Sequence, residues 1–229
     1  METTTVEKKK MEQVIIPCDY FLNMSKKDYS DYQSALIREF FQNSYDAGAK
    51  NFGIHTDSEH CKAVFTDDGC GMDEEVLRNK LLVLGASHKP KDGSVGAFGH
   101  AKLLLYFSWD KWEIRTQDLL VTGEANYFNI EKVDEWYAGT KSTIWIPENI
   151  ERSIKWSINA YFVYCDTNCK VTYSRNDNDP EVVKQGCTTG QKVFDGESFN
   201  IYEGLEVCGY YMLIRQNGVF MFKQFLNGN

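Results

Sequence analysis

Ile37-Arg-Glu-Phe-Phe-Gln-Asn-Ser-Tyr-Asp-Ala47 is the stretch on which the fold turns. Glu39, Asn43 and Asp46 stand at successive offsets of four and three, so a helix projects them from one face. Leu36, Ile37, Phe40 and Phe41 fall on another side and supply the stripe that such a helix buries. A carboxylate and a carboxamide aligned this way suit a hard cation and a water molecule better than they suit a core. Ser30 or Asp31 is placed to cap the helix, and Gly48 to stop it after Asp46 or Ala47.

Downstream of that helix, Phe52 to Thr56 and Lys62 to Thr66 read as two strands joined by a polar turn. The second runs into Asp67-Asp-Gly-Cys-Gly-Met72, so two carboxylates sit at a strand end. Asp73 to Val83 predicts a helix with acidic residues in its first turn, where the helix dipole favours them. From Gly85 to Gly99 the periodicity disappears into glycine, serine, lysine and proline, a length typical of a lid or binding loop. Ala101 to Phe107 reads as a short buried helix. Trp109–Thr116, Leu119–Gly123, Ala125–Ile130 and Lys141–Ile146 read as strands, Ile150–Tyr164 as a helix, and Lys170–Tyr173 as a strand closing the sheet. The pattern predicts an α+β, two-layer sandwich with a mixed, mainly antiparallel sheet.

Residues 1–13 read as a polar arm and 14–174 as one domain, with Val14-Ile-Ile-Pro17 as an edge strand or packing arm. Residues 175–229 read as a linker and a small β-rich extension, or the start of a second domain. Asn217-Gly218 between apolar runs is a strong hairpin signal there.

Composition narrows the function. With 229 residues and 42% hydrophobic content, the chain can bury one sizeable core. The net charge of −8 disfavours nucleic-acid binding through a bulk positive field. No apolar run reaches the roughly 18 residues that span a bilayer, and the first residues lack a secretion signal. A soluble, cytoplasmic protein without a membrane partner is expected. Seven scattered cysteines are odd in number and read as buried reduced thiols. Cys165 and Cys169 lack a second Cys/His pair with zinc spacing.

Four segments in order, namely Glu39 to Asp46, Asp67 to Gly71, Gly93-Ser-Val-Gly-Ala-Phe-Gly99 and Gly139-Thr140, resemble the GHKL ATPase superfamily. That superfamily includes gyrase B subunits, MutL, the heat-shock ninety chaperones, MORC proteins and histidine kinases. The likeness runs from Ala35 to Thr140 and implies the Bergerat ATP-binding fold, with ATP and Mg²⁺ as cofactors. By that resemblance Asn43 holds Mg²⁺, Glu39 activates the attacking water, and Asp46 supports the helix or a metal-bound water. Asp67 accepts from the adenine amino group, Gly69 and Gly71 let the backbone approach the purine, and Met72 packs on it. Gly93, Gly96 and Gly99 face the phosphates, Lys102 (or Lys89 or His88) reaches them, and Thr140 joins the adenine network. Ala101 stands where the chaperone form of the lid has a further glycine.

The resemblance implies slow ATP hydrolysis that drives lid closure and homodimerisation. The alternative is an ATP-gated binding or sensor module, or the ATPase part of a DNA-processing complex. A histidine-kinase role ranks below these, because no phosphoacceptor helix surrounds His55, His60, His88 or His100.

Overall fold

The computed structural model describes Tyr20, Asn23 and residues 31–83, 101–124, 127–186, 190–206 and 208–226. The expected N-terminal arm, the apolar segment at 14–17 and the lid at 85–99 lie outside these residues.

Helix α1 (Tyr32–Asp46) starts where the Asp31 carboxylate accepts from the Ser34 N–H at 3.1 Å, and it ends against Gly48, whose φ is +80°. Strands β1 (Asn51–Asp57) and β2 (Lys62–Asp67) follow as an antiparallel pair. Next come a helical turn, Glu74–Val76, and a π-helix, Leu77–Leu81. A second π-helix, Leu103–Phe107, is buried at every position. Strands β3 (Lys111–Glu124) and β4 (Tyr127–Trp145) form a long ribbon, followed by α2 (Glu148–Phe162), β5 (Lys170–Arg175) and β6 (Glu181–Val182).

The six strands form one sheet in the order β3-β4-β2-β1-β5-β6, antiparallel except where β5 runs parallel to β1. This is the expected α+β sandwich with a mixed sheet. Alternate residues of β1 and β2, namely Phe52, Ile54, Ala63 and Phe65, are buried, as period-2 patterning requires. They meet the apolar stripe of α1: the Phe40 ring stacks on Phe65 at 3.9 Å, and Phe41 meets Phe52 at 5.5 Å and Phe162 of α2 at 4.8 Å. Fully burying side chains of this size stabilises by roughly 1.5–3 kcal/mol each. The core therefore holds α1 against the sheet by the side opposite its polar face.

Three expectations need correction. The four short strands expected between Trp109 and Ile146 are two long ones. At Gln117 the ribbon changes register and the backbone turns to φ +48°, which made one strand look like two. Residues 131–136 of β4 are exposed or half-exposed throughout, so they carry no alternation. The helix expected over 73–83 is a single α-turn running into the π-helix. Finally, Arg175 is not linker: it ends β5 and pairs bidentately with the buried Glu151 of α2, both bonds at 2.9 Å.

A second, four-stranded sheet comprises β7 (Gln191–Asp195), β8 (Phe199–Glu206), β9 (Gly209–Gln216) and β10 (Val219–Phe225), in the order β10-β9-β8-β7. Asn217 and Gly218 form the expected hairpin turn, with φ of +51° and +82°. Val219 is completely buried in the main core. No helix among the described residues is long and apolar enough to cross a membrane. Cys165 and Cys169 are buried free thiols, and burial pushes them up to about 12 and about 11.

Candidate functional site

Asp67 gathers three of the quoted segments. It ends β2, directly opposite Thr140 of β4. Its Oδ1 accepts from the Gly69 N–H at 2.9 Å and from the Thr140 N–H at 3.2 Å, and its Oδ2 accepts from the Ser44 hydroxyl of α1 at 2.9 Å. An ionised carboxylate offers roughly four acceptor positions. These donors take two on Oδ1 and one on Oδ2, so Oδ2 keeps one for a further donor. Burial raises Asp67 above the ordinary carboxylate range, opposed by the bonds from Gly69, Ser44 and Thr140 and assisted by the neighbouring Asp68 charge. A desolvated carboxylate with one unfilled acceptor position fits a neutral donor such as an exocyclic amino group.

Asp68 does different work. Its Oδ1 accepts from the Lys50 N–H at 2.7 Å and the Asn51 N–H at 2.8 Å, and its Oδ2 from the Asn51 amide at 2.7 Å. Burial acts upward on it, but the Asn51 and Lys50 donors outweigh that and hold it low. It latches the start of β1 to the end of β2, leaving Asp67 as the carboxylate that faces the site.

The glycines serve close backbone approach. At Gly139, φ is +89° and a Cβ would stand 2.0 Å from the Asp67 carbonyl oxygen. At Gly71, φ is +69° and a Cβ would meet the Thr116 hydroxyl at 2.9 Å and the Gly139 carbonyl at 3.0 Å. A Cβ at Gly69 would lie 2.8 Å from the Ala47 Cβ, and the Cys70 N–H donates to the Ala47 carbonyl at 3.0 Å. Thr116 completes the lock: its Oγ1 accepts from the Met72 N–H at 2.8 Å and donates to the Gly139 carbonyl at 2.9 Å. Met72 itself packs at the edge of the core.

Ser44 and Thr116 were not singled out in the sequence. Ser44 sits beside Asn43 in the quoted stretch, and that adjacency was the available signal. Thr116 lies on β3, which no motif touches.

On α1, Glu39 keeps 12% of its side chain exposed and pairs through Oε1 with Arg38, from Nη2 at 3.0 Å and Nε at 3.3 Å. Asn43, one turn on, is half-buried, and Asp46 is exposed. Because Ser44 reaches Asp67, this turn of α1 lies beside the carboxylate at the end of β2. Among the described residues no cluster of three or more His, Cys, Asp or Glu is placed to hold a metal. A single carboxamide oxygen at Asn43 still fits a hard cation that keeps waters and takes oxygens from its ligand.

Lys102 is buried, and its ammonium donates to the carbonyls of Lys80 and, at 2.6 Å, Val83. Burial lowers it to about 8. In this structure it anchors the end of the π-helix at Leu77–Leu81, a position the sequence did not reveal. Gly93, Gly96, Gly99, Lys89 and His88 lie outside the described residues. A shallow cleft of about 370 Å³, lined by Gly53, Thr66, Tyr137 and Thr172, also reaches Asp67 and Asp68. Gly53, Thr66 and Thr172 alternate with the core-facing residues of their strands, so this cleft opens away from α1.

The family described as "Histidine kinase-, DNA gyrase B-, and HSP90-like ATPase" matches residues 29–153. That span holds Glu39, Asn43, Asp67 and Thr140. The DNA mismatch repair protein MutL of Buchnera aphidicola subsp. Acyrthosiphon pisum, in strains Tuc7 and 5A, is 31% identical over 64 residues. The match covers 28% of this chain and 11% of each relative, so it spans about a tenth of their length.

Proposed function

Because the chain belongs to the histidine kinase-, DNA gyrase B- and HSP90-like ATPase family, we propose that it binds ATP with Mg²⁺ and hydrolyses it slowly. The observation that carries this reading is the Asp67 carboxylate, held by Ser44, Gly69 and Thr140 with one acceptor position left.

In this reading the site residues divide the work of binding and hydrolysis. Asp67 Oδ2 accepts from the adenine amino group. Guanine carries an acceptor oxygen there, and leaving a buried carboxylate opposite it unsatisfied costs about 1–3 kcal/mol or more. Gly69 and Gly71 let this backbone pack against Ala47, Thr116 and Gly139 and so approach the purine, and Met72 packs against the ring. Thr140, whose N–H meets the same carboxylate, joins the adenine network with its hydroxyl. Asn43 would hold the metal, which supplies charge neutralisation at the triphosphate. Glu39 orients and deprotonates the attacking water. Arg38 engages Oε1, so Oε2 is the oxygen that takes the proton. Asp46, at the exposed end of α1, would support the helix or the water around the metal. By the family resemblance Gly93, Gly96 and Gly99 would face the phosphates, and Lys102 would reach them only by leaving the Lys80 and Val83 carbonyls.

Nucleotide binding in this reading closes the 85–99 segment and brings two copies together. A second reading is an ATP-gated binding or sensor module, or the ATPase part of a DNA-processing complex, with little turnover of its own. The similarity to a relative named for DNA mismatch repair favours it, while the net charge of −8 argues against strong DNA affinity of the chain itself.

Phosphate release decides between them. The wild type should turn over slowly, and Glu39→Ala should lose turnover yet still bind ATP. Unchanged turnover in Glu39→Ala refutes the mechanism, and no turnover in the wild type leaves only the gated module.

A further inference from the structure

In the ATP-binding reading the polar face of α1 meets the nucleotide, and its other flank carries a second attachment. Tyr45, between Ser44 and Asp46, donates its hydroxyl to the Asn217 carbonyl at 3.1 Å. Gln42 is buried, and its amide points at the Met221 sulfur at 3.8 Å. Both partners belong to the β9–β10 hairpin, so residues 42 and 45 grip the hairpin while 43 and 44 serve the site.

The hairpin is seated tightly. The Asp166 N–H donates to the Gly218 carbonyl at 2.7 Å, and a Cβ on Gly218 would stand 2.1 Å from the Asp166 carbonyl oxygen. Arg215 is buried and donates to the Tyr164 carbonyl at 2.6 Å. Phe220 packs on Tyr161 at 5.8 Å and on Tyr164 at 5.1 Å, and Tyr161 in turn meets Phe41 of α1 at 6.4 Å. Packed interiors pass displacement along rather than absorbing it. A shift of the hairpin therefore moves the turn of α1 that carries Asn43 and Ser44.

We propose that the β9–β10 hairpin positions the nucleotide site: through Tyr45 and Gln42 it holds α1 in the register at which Ser44 reaches Asp67. This rests on the ATP-binding reading above. Tyr45 and Gln42 are positioning residues that touch no nucleotide. The coupling is reciprocal, because a site that binds better with the hairpin seated must seat the hairpin when it binds. The C-terminal sheet is thus the element that registers whether nucleotide is present.

The test uses the full chain with Mg²⁺ and a non-hydrolysable ATP analogue. Calorimetry gives affinity, and hydrogen exchange follows the amides of 209–225. In the wild type the analogue should slow exchange across that hairpin. Tyr45→Phe should raise Kd about threefold to tenfold, the range of one lost hydrogen bond, and should remove the slowing. Gly218→Ala should weaken binding further if it folds. Val121→Ala, a core truncation on β3, controls for general destabilisation and should bind normally. Overturning results are an unresponsive hairpin in a wild type that binds the analogue, wild-type affinity in Tyr45→Phe, or an equal loss in Val121→Ala. A wild type that binds no analogue overturns this and the ATP reading together.

Discussion

Two adjacent aspartates illustrate how neighbours divide one residue type into two roles. Asp68 is held low by Asn51 and Lys50 and ties two strands together, while burial raises Asp67 and leaves it one open acceptor position. The raised value fixes the direction of pH effects. In the free protein, the stability linked to Asp67 is fully present below its unfolded pKa and is lost as pH rises through the folded one. An adenine amino group donates to the ionised form, so binding pulls the pKa back down and releases a proton. ATP affinity should therefore be full above the raised pKa and fall as pH drops through it, with calorimetry across acidic buffers as the check. Asp67→Asn removes the charge and most of this pH dependence. Losing a hydrogen bond to a charged group costs about 1.5–3 kcal/mol, so its Kd for ATP should rise at least tenfold or so.

At the scale of elements, the site depends on a bulge. Gly139 lets β4 pass within contact of the Asp67 carbonyl, and Thr116 ties that bulge to Met72. Gly139→Ala combines a left-handed φ with a backbone clash. It should cost about 2–3 kcal/mol, lowering Tm by about 5–10 °C in a thermal melt for a chain of this size. What could be read beforehand follows the same logic. Asp31, the buried stripe of α1, the β1–β2 pair and the Asn217-Gly218 turn carry local signals, and each stands where those signals place it. Glu39, Asn43 and Asp67 could be put forward as a set because their order along the chain resembles a known family, and the structure brings the α1 turn that carries Asn43 beside Asp67 through Ser44. The β3–β4 ribbon was not legible, because residues 131–136 face solvent on both sides and have no period. Neither was the use of Thr116 or Lys102, since each is defined by partners distant in sequence. π-Helices leave no pattern that distinguishes them from α-turns.

At the scale of the molecule, a six-stranded sheet with helices on one face meets a second sheet through Val219 and the Asn217-Gly218 turn. The family match ends at residue 153, within α2, while β5 and β6 continue the same six-stranded sheet beyond it. Truncating the contact should be felt at a distance: Val219→Ala removes completely buried methyl groups and should destabilise by about 1–3 kcal/mol in denaturant unfolding. In the proposed function Asp67 reads a purine amino group, with the triphosphate and its metal at Asn43. Parallel calorimetric titrations of the folded wild type with Mg-ATP and Mg-GTP test it most directly. Saturable heat is expected with ATP and binding at least tenfold weaker with GTP; no heat with ATP, or equal affinity for both, would rule this reading out.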